Sequence, residues 1–277
     1  MGGAGQEVRF KPALTGRWKD SIGNSRHRDT PGMDRYALTK EVTDAEKIGW
    51  VKEIFSTVFP KYDFLNHVLS LRRDIAWRRF AVRKMRFFRT YRLIDVATGT
   101  GDLAIEAALF HPSIEVTGID FVREMMELGQ AKIVKKKLSG RIRLLQGDAL
   151  YLPFGEGEFD AAAIAFGIRN IPDRMGALKE MARVVVPGGQ VMVLEMTYPR
   201  RAILRSVYGV YLYRVLPSVA RRFSRNPEAY RYLADSIVNF PSPEMFSEKM
   251  EEAGLVEIKR YALTLGVTYL HVGRKPQ

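Results

Sequence analysis

The chain has 277 residues, 46% of them hydrophobic, which is enough to bury the core of one large domain. With no cysteine it has no disulfide, thiolate metal site or cysteine nucleophile, and its four histidines lack metal-ligand spacing. The formal net charge of +13 predicts attraction to something anionic: a membrane surface, nucleic acid or an acidic cofactor.

Residues 1–40 are rich in Gly, Arg, Pro and Asp without an apolar period, and are expected to be a mostly disordered extension, with Met33 as an alternative start. The chain opens Met-Gly, but Gln6 stands where a myristoylation motif would have Ser or Thr. No apolar h-region reads as a secretory signal, and no stretch approaches the roughly 20 residues of a spanning helix. Residues 41–277 read as a single domain, of which 41–90 form a helical N-terminal lid. Ile48, Val51, Ile54, Phe55 and Val58 share one helical face; Leu65, Val68 and Leu69 repeat the spacing, as do Trp77, Phe80 and Ala81.

Strands and helices then alternate. "RLIDVA" reads as a strand, 102–110 as a helix, "IEVTGID" as a strand and 122–138 as a helix. Strands follow in "IRLLQGD" and "FDAAAIAF". A helix over 174–186 is expected to stop at Pro187-Gly188-Gly189 before the strand "QVMVLEM". Residues 200–240 read as inserted helices, and a helix over 243–253 ends at Gly254 in C-cap position. "LVEIKRYAL" and "GVTYLHVGR" complete the pattern as a hairpin. This order argues an α/β, Rossmann-like fold, with a mostly parallel sheet closed by an antiparallel hairpin.

The stretch "LIDVATGTGDLA" carries the clearest chemical signal. Gly99, Thr100 and Gly101 form a tight turn that admits a ligand to the backbone, and the helix from Asp102 offers free N–H groups. Asp95 precedes the turn, inside the first strand. Asp120 ends the second strand, where a carboxylate can accept both ribose hydroxyls. Two ligand classes compete. A dinucleotide site wants G-x-G-x-x-G/A, and Ala104 nominally fills the last position. An S-adenosylmethionine site wants an acid before G-x-G, an acid ending the second strand and a polar residue after the third, which Asp148-Ala149 supplies next to the adenine amino group. The terminal hairpin and the negative charge of Asp102, which would repel a pyrophosphate, lean toward the cationic sulfonium.

From about residue 44 to 273 the chain resembles the quinone-biosynthesis C-methyltransferases, the family of demethylmenaquinone methyltransferase and 2-polyprenyl-6-methoxy-1,4-benzoquinol methylase. "YDFLNHVLSLRRDIAW" and "RVVVPGGQVMVLEMT" are similar to its two signatures, and "AFGIRNIPD" and "NPEAYRYLADSI" to two further blocks. The departures are Leu65 for Met, Asp74 for His, Val186 for Lys, Thr197 for Ser, and Ala165 for a Ser that touches the cofactor in relatives. The resemblance implies a seven-stranded class I S-adenosylmethionine-dependent methyltransferase fold. It also implies S-adenosylmethionine as cofactor and methyl transfer to a ring carbon of a reduced polyprenyl quinol, demethylmenaquinol being favoured. Its catalytic candidates are Arg169, Asn170 and Tyr62, with Ala165 at the cofactor.

Arg169 and Asn170 follow the fourth strand, at the sheet edge where ligands bind in such folds. A guanidinium stays protonated, so Arg169 is expected to stabilise a developing phenolate while water or a carboxylate such as Asp63 takes the proton. The competing role for Arg169 is an ion pair with Asp173 at the surface. His67 is a weaker candidate base. Residues 200–225 carry several arginines and no acid among Ile203, Leu204, Val207, Tyr208, Tyr211 and Leu212, and 72–92 are also basic and aromatic. Both stretches suit peripheral contact with an anionic membrane, which would place the protein in the cytoplasm, at the inner membrane surface. A homodimer contact is the alternative use of 202–216. Nucleic acid is a poorer fit: an [Asn/Asp]-Pro-Pro-aromatic motif is missing, and so is the cysteine of cytosine C5 chemistry. Another small aromatic or RNA remains the alternative substrate, and a non-catalytic cofactor-binding regulator the third class.

Overall fold

The computed structural model describes residues 67, 70–218 and 228–277, with the side chains of 228–230 excepted. The chain divides into two units, Met1–Glu41 and Val42–Gln277, and the described residues all lie in the second. The expected extension over 1–40, most of the helical segment before Arg73, and Tyr62 and Asp63 fall outside them.

Helix α1 (Arg73–Lys84) turns Trp77 and Ala81 inward, on the face their spacing predicts. The βα alternation follows as β1 (Arg92–Val96), α2 (Asp102–Phe110), β2 (Glu115–Asp120), α3 (Arg123–Lys135), β3 (Ile142–Gln146), β4 (Phe159–Ala165), α4 (Arg174–Val184) and β5 (Val185–Met196). Next come α5 (Ala202–Val210), a π-helical turn (Tyr211–Val215), α6 (Glu228–Val238), α7 (Pro243–Glu252) and the hairpin strands β6 (Val256–Leu263) and β7 (Thr268–Arg274). The seven strands lie in the order β3-β2-β1-β4-β5-β7-β6. β1 to β5 are parallel neighbours, and β7 pairs antiparallel with both β5 and β6.

Both faces of the central strands are covered, so alternate residues feed two cores. Leu93, Ala161 and Ala163 join Leu103, Ala104 and Ile133 on one face; Ile94, Ala162 and Ile164 join Leu178, Met181 and Phe246 on the other. A third cluster, Leu212, Leu216, Ala234 and Ile237, binds the π-turn segment to α6. The π turn rephases its helix by one residue, leaving Leu216 at 2% exposure and Val215 at 45%. The edge strand β6 presents Glu257, Lys259 and Arg260, charges that discourage pairing with another sheet.

One local expectation needs correction. Pro187-Gly188-Gly189 lies inside β5: Val185 pairs with Phe159, and the register resumes at Gln190 opposite Ala161. The intervening residues loop out, and Gly188 takes a φ of +75° that favours glycine. The aromatic and basic stretch 72–92 is split between core and surface, with Phe88 at 52% exposure among the exposed Arg79, Arg83, Arg86 and Arg89. Trp77 is buried and Phe80 packs on Tyr261. The loop after α1 is tied down by Asp160 of β4, whose buried carboxylate accepts the N–H groups of Phe88, Arg89, Thr90 and Tyr91 at 2.7–3.2 Å. Such charge-assisted bonds contribute about 1.5–3 kcal/mol each in isolation. They fix where the chain enters β1, and hence the register of the loop at its far end.

Candidate active site

A cavity of about 630 Å³ opens along the carboxyl ends of β1 to β5, within the size range of small-molecule sites. Asp95, Gly99, Thr100, Asp120, Asp148, Ala149, Ala165, Arg169 and Asn170 all line it. Gly101 sits just behind, as the N-cap of α2 with a φ of +74°.

Asp95 is 1% exposed. It accepts the Thr98 hydroxyl at 2.6 Å and the backbone N–H of Ala104, so a β1 carboxylate caps the N-terminus that Gly101 has no side chain to cap. Burial pushes its carboxyl up to about 7. Asp120 closes β2 and accepts the N–H groups of Gly99 at 2.8 Å and Val122 at 2.9 Å. Burial raises its pKa too, against those backbone bonds. Asp148 is exposed, and its carboxylate accepts the N–H of Leu150 at 2.9 Å. Ala97 and Phe166, directly after β1 and β4, hold positive φ angles of 52° and 60°, the kind of backbone strain that gathers at ligand-binding loops.

Five aspartates line the cavity against three arginines, an excess of negative charge suited to a ligand bearing a sulfonium and an ammonium group. The carboxylate of Asp120, at the lip of a two-glycine turn, meets the requirement for gripping a ribose. The residues therefore fit S-adenosylmethionine. Asp102 is not the bare negative charge its position suggests: Lys132 Nζ lies 2.5 Å from it and Arg78 Nη2 3.7 Å, so its charge is offset and does not discriminate between the ligands. Nothing local to Asp102 signals this pairing, because Lys132 is 30 residues away on α3.

Arg169 is buried rather than at the surface, and its partner is Glu195 rather than Asp173, which instead caps α4. Its guanidinium donates to Glu195 at 2.6 Å and to the Phe166 carbonyl at 2.5 Å. Glu195, 1% exposed, also accepts the N–H groups of Met196 and Arg169. Arg174 donates to the Arg169 carbonyl at 3.2 Å. Asn170 Oδ1 accepts the Tyr232 hydroxyl at 3.1 Å. Glu195 and Tyr232 were not anticipated as site residues; the one available signal was a lone acid in the apolar strand "VMVLEM". His67 Nδ1 lies 2.8 Å from Asp74, which also accepts from Ser70 and Arg78, so the Asp74 departure builds a satisfied polar knot at the rim. Beyond the ring site the cavity continues as an apolar lobe of Leu204, Tyr208, Leu212, Leu216, Leu233 and Ile237.

The strand order with its terminal hairpin and the charged crevice at the sheet edge define a class I S-adenosylmethionine-dependent methyltransferase. Solved methyltransferases of that type share the fold: one from Thermotoga maritima at a TM-score of 0.55 and 19% identity, with 80% of this chain and 98% of that one covered, and one from Aquifex aeolicus at 0.52 and 16%, with 71% and 88% covered. Within that class, the chain belongs to the ubiE/COQ5 methyltransferase family, whose profile it matches over residues 40–275. It is 44% identical over 231 residues to the ubiquinone/menaquinone biosynthesis C-methyltransferase UbiE of Geotalea daltonii, covering 83% of this chain and 98% of that protein. It is 43% identical over 223 residues to the demethylmenaquinone methyltransferase of Thermus thermophilus, covering 80% and 100%.

The Asp95 carboxyl gives the cofactor site a pH dependence. Near pH 7 it is half protonated in the free protein, and a bound sulfonium favours the ionised form, so binding releases a proton. Affinity for S-adenosylmethionine falls below about pH 7, at most about tenfold per unit. Calorimetry in two buffers of different ionisation enthalpy reads the released proton directly; heats independent of the buffer contradict it. By the same linkage, this group alone costs stability as pH rises from the ordinary carboxyl value of 3.8 toward about 7.

Proposed function

We propose that the protein transfers a methyl group from S-adenosylmethionine to a ring carbon of a polyprenylated quinol, with demethylmenaquinol as the favoured acceptor. The observation that carries this reading is the continuity of one cavity from the carboxylates at the strand ends, past Arg169 and Asn170, into an apolar lobe. Relatives named for demethylmenaquinone methylation come from Deinococcus radiodurans, Thermus thermophilus and Staphylococcus aureus, at 37–43% identity. No relative among these points to RNA.

When bound, S-adenosylmethionine supplies an electrophilic methyl group: the ring carbon's electron pair forms the new C–C bond, the S–C pair stays on sulfur, and one proton is lost overall. The chain's own residues do the rest. Asp120 and the 99–101 turn hold the adenosyl end, and Asp148 faces the base. Arg169, kept rigid by Glu195, presents positive charge where the quinol oxygen becomes phenolate-like. The guanidinium remains protonated, so the hydroxyl proton passes to water or to a carboxylate such as Asp63. Fixing the ring carbon against the methyl group is worth about 7–11 kcal/mol of the barrier when the alignment is good. The lobe beyond accepts the first units of the prenyl tail, and burial pushes the Tyr211 phenol lining it up to about 12, which keeps that wall uncharged.

The tail is resident in a bilayer, and α5 is built to reach one. None of its residues is buried, and Ile203, Val207 and Val210 are 80%, 64% and 52% exposed beside Arg200, Arg201 and Arg205. Among the described residues no helix is long and apolar enough to cross a membrane. Support for peripheral docking on anionic lipid therefore comes from an apolar helix face with basic flanks, each nearby charge adding about 1 kcal/mol.

Incubation with labelled methyl donor and reduced naphthoquinol or benzoquinol should give one added methyl on carbon, in the naphthoquinol preferentially. Arg169→Lys keeps the charge but loses the fork, and should lower kcat on the order of 100-fold; undiminished turnover contradicts the role given to Arg169. Liposomes containing anionic lipid should float the protein at low salt, and Ile203→Glu with Val207→Glu should abolish this. Flotation that is insensitive to both the substitutions and salt removes α5 from the contact.

A further inference from the structure

The ring site needs its polar groups to point the right way, and an asparagine amide can point either way. Asn170 ends a short 3-10 turn (Ile168–Asn170) at the edge of β4, where its own N–H donates to Gly167 at 3.0 Å. The backbone is thus fixed, while rotation about the last side-chain bond would exchange a carbonyl acceptor for an amide donor in the cavity wall. Tyr232 Oη reaches Asn170 Oδ1 at 3.1 Å from α6, across 62 residues of sequence. Asn170 lines the cavity, whereas Tyr232 stands behind it in the shell formed by α6. α6 itself is anchored, since Ala234 and Ile237 pack with Leu212 and Leu216.

We infer that Tyr232 is a positioning residue: by donating to Asn170 Oδ1 it turns the Nδ2 amide toward the ring site, so that Asn170 and Arg169 together present only N–H donors to the quinol oxygen. This rests on the proposed quinol reaction and adds the group that sets the polarity of its oxygen site. The chemistry requires that polarity. The oxygen beside the attacked carbon gains negative charge as its proton leaves and the C–methyl bond forms, so donors aimed at it strengthen in the transition state, and a carbonyl in their place would oppose the charge. Burial raises the Tyr232 phenol pKa, so the hydroxyl keeps the proton it donates at neutral pH.

The test is a double-mutant cycle with reduced quinol. Tyr232→Phe removes one oxygen and leaves the ring in place. It should lower kcat about tenfold, a part of the ~100-fold or more that loss of a whole oxyanion donor costs, with KM for both substrates within about twofold of wild type. The acidic limb of the kcat–pH profile should move to higher pH, because the bound quinol loses donors that favour its ionised form. Asn170→Ala should cost more, and adding Tyr232→Phe to it should cost nothing further. Losses that multiply, or a Tyr232→Phe enzyme with wild-type kcat and pH profile, overturn the inference while leaving the reaction intact. Wild-type protein that leaves the quinol unmethylated overturns the reaction, and the inference with it. Binding of S-adenosylmethionine by each variant, measured by calorimetry, establishes that the fold is kept. Should Tyr232→Phe fail that control, Asn170→Asp carries the test: it puts an oxygen on both ends of the side chain, and on this account should lose activity at least as far as Asn170→Ala.

Discussion

Three strands of one sheet end in buried acids: two are satisfied by the loop that leaves the same strand, the third chiefly by an arginine from the loop after its neighbour. Asp95 in β1 accepts from Thr98 and caps α2; Asp120 in β2 accepts from Gly99 and Val122; Glu195 in β5 accepts from Met196 and clamps Arg169. A carboxylate taken from water is costly unless it is paired or hydrogen-bonded, so each of these loops has one favourable conformation. The crevice at the sheet edge is therefore preorganised, and its shape follows from carboxylate desolvation as much as from backbone turns. The same logic recurs at the opposite end of β4, where Asp160 gathers four consecutive N–H groups ahead of β1.

Preorganisation matters because a cationic methyl donor and a guanidinium must share one cavity. In the proposed reaction, Arg169 without compensation would repel the sulfonium bound in the same cavity. Glu195, 2.6 Å away, makes the pair close to neutral while leaving the N–H donors of the guanidinium fixed in direction. A buried ion pair of this kind adds little net stability, but breaking it costs on the order of 3–5 kcal/mol, because one charge is left without a partner. On the other side of the ring site the wall is apolar and aromatic, with Tyr208 and Tyr211 nearly parallel at 6.0 Å. Polar orientation at one end and a dry lobe at the other suit an amphipathic acceptor with a charged-ring transition state and a hydrocarbon tail.

Much of this was legible in the chain itself. The alternation of strands and helices, the place of the glycine turn, Asp120 at the end of its strand and the closing hairpin are local patterns, and local patterns decide local structure. What escaped was long-range pairing. Asp102 looked like a bare negative charge until Lys132 and Arg78 were brought beside it, and Arg169 looked exposed because Glu195 lies 26 residues ahead on another strand. Pro187-Gly188-Gly189 carried a stop signal that a parallel neighbour overrode, since pairing on both sides of a looped-out segment outweighs the turn propensity within it. The π turn and the bond from Tyr232 to Asn170 leave no periodic trace, as each depends on which helix packs where.

The claim most central to this account is that the strand-end carboxylates hold the adenosyl group of a sulfonium donor. Titration calorimetry of Asp120→Ala beside the wild-type protein tests it most directly. Loss of two hydrogen bonds to a charged group predicts S-adenosylmethionine affinity weakened on the order of 100-fold with the fold intact, and no measurable uptake of NAD by either protein. Wild-type affinity in the Asp120→Ala protein, or tight NAD binding with the sulfonium donor ignored, would contradict it.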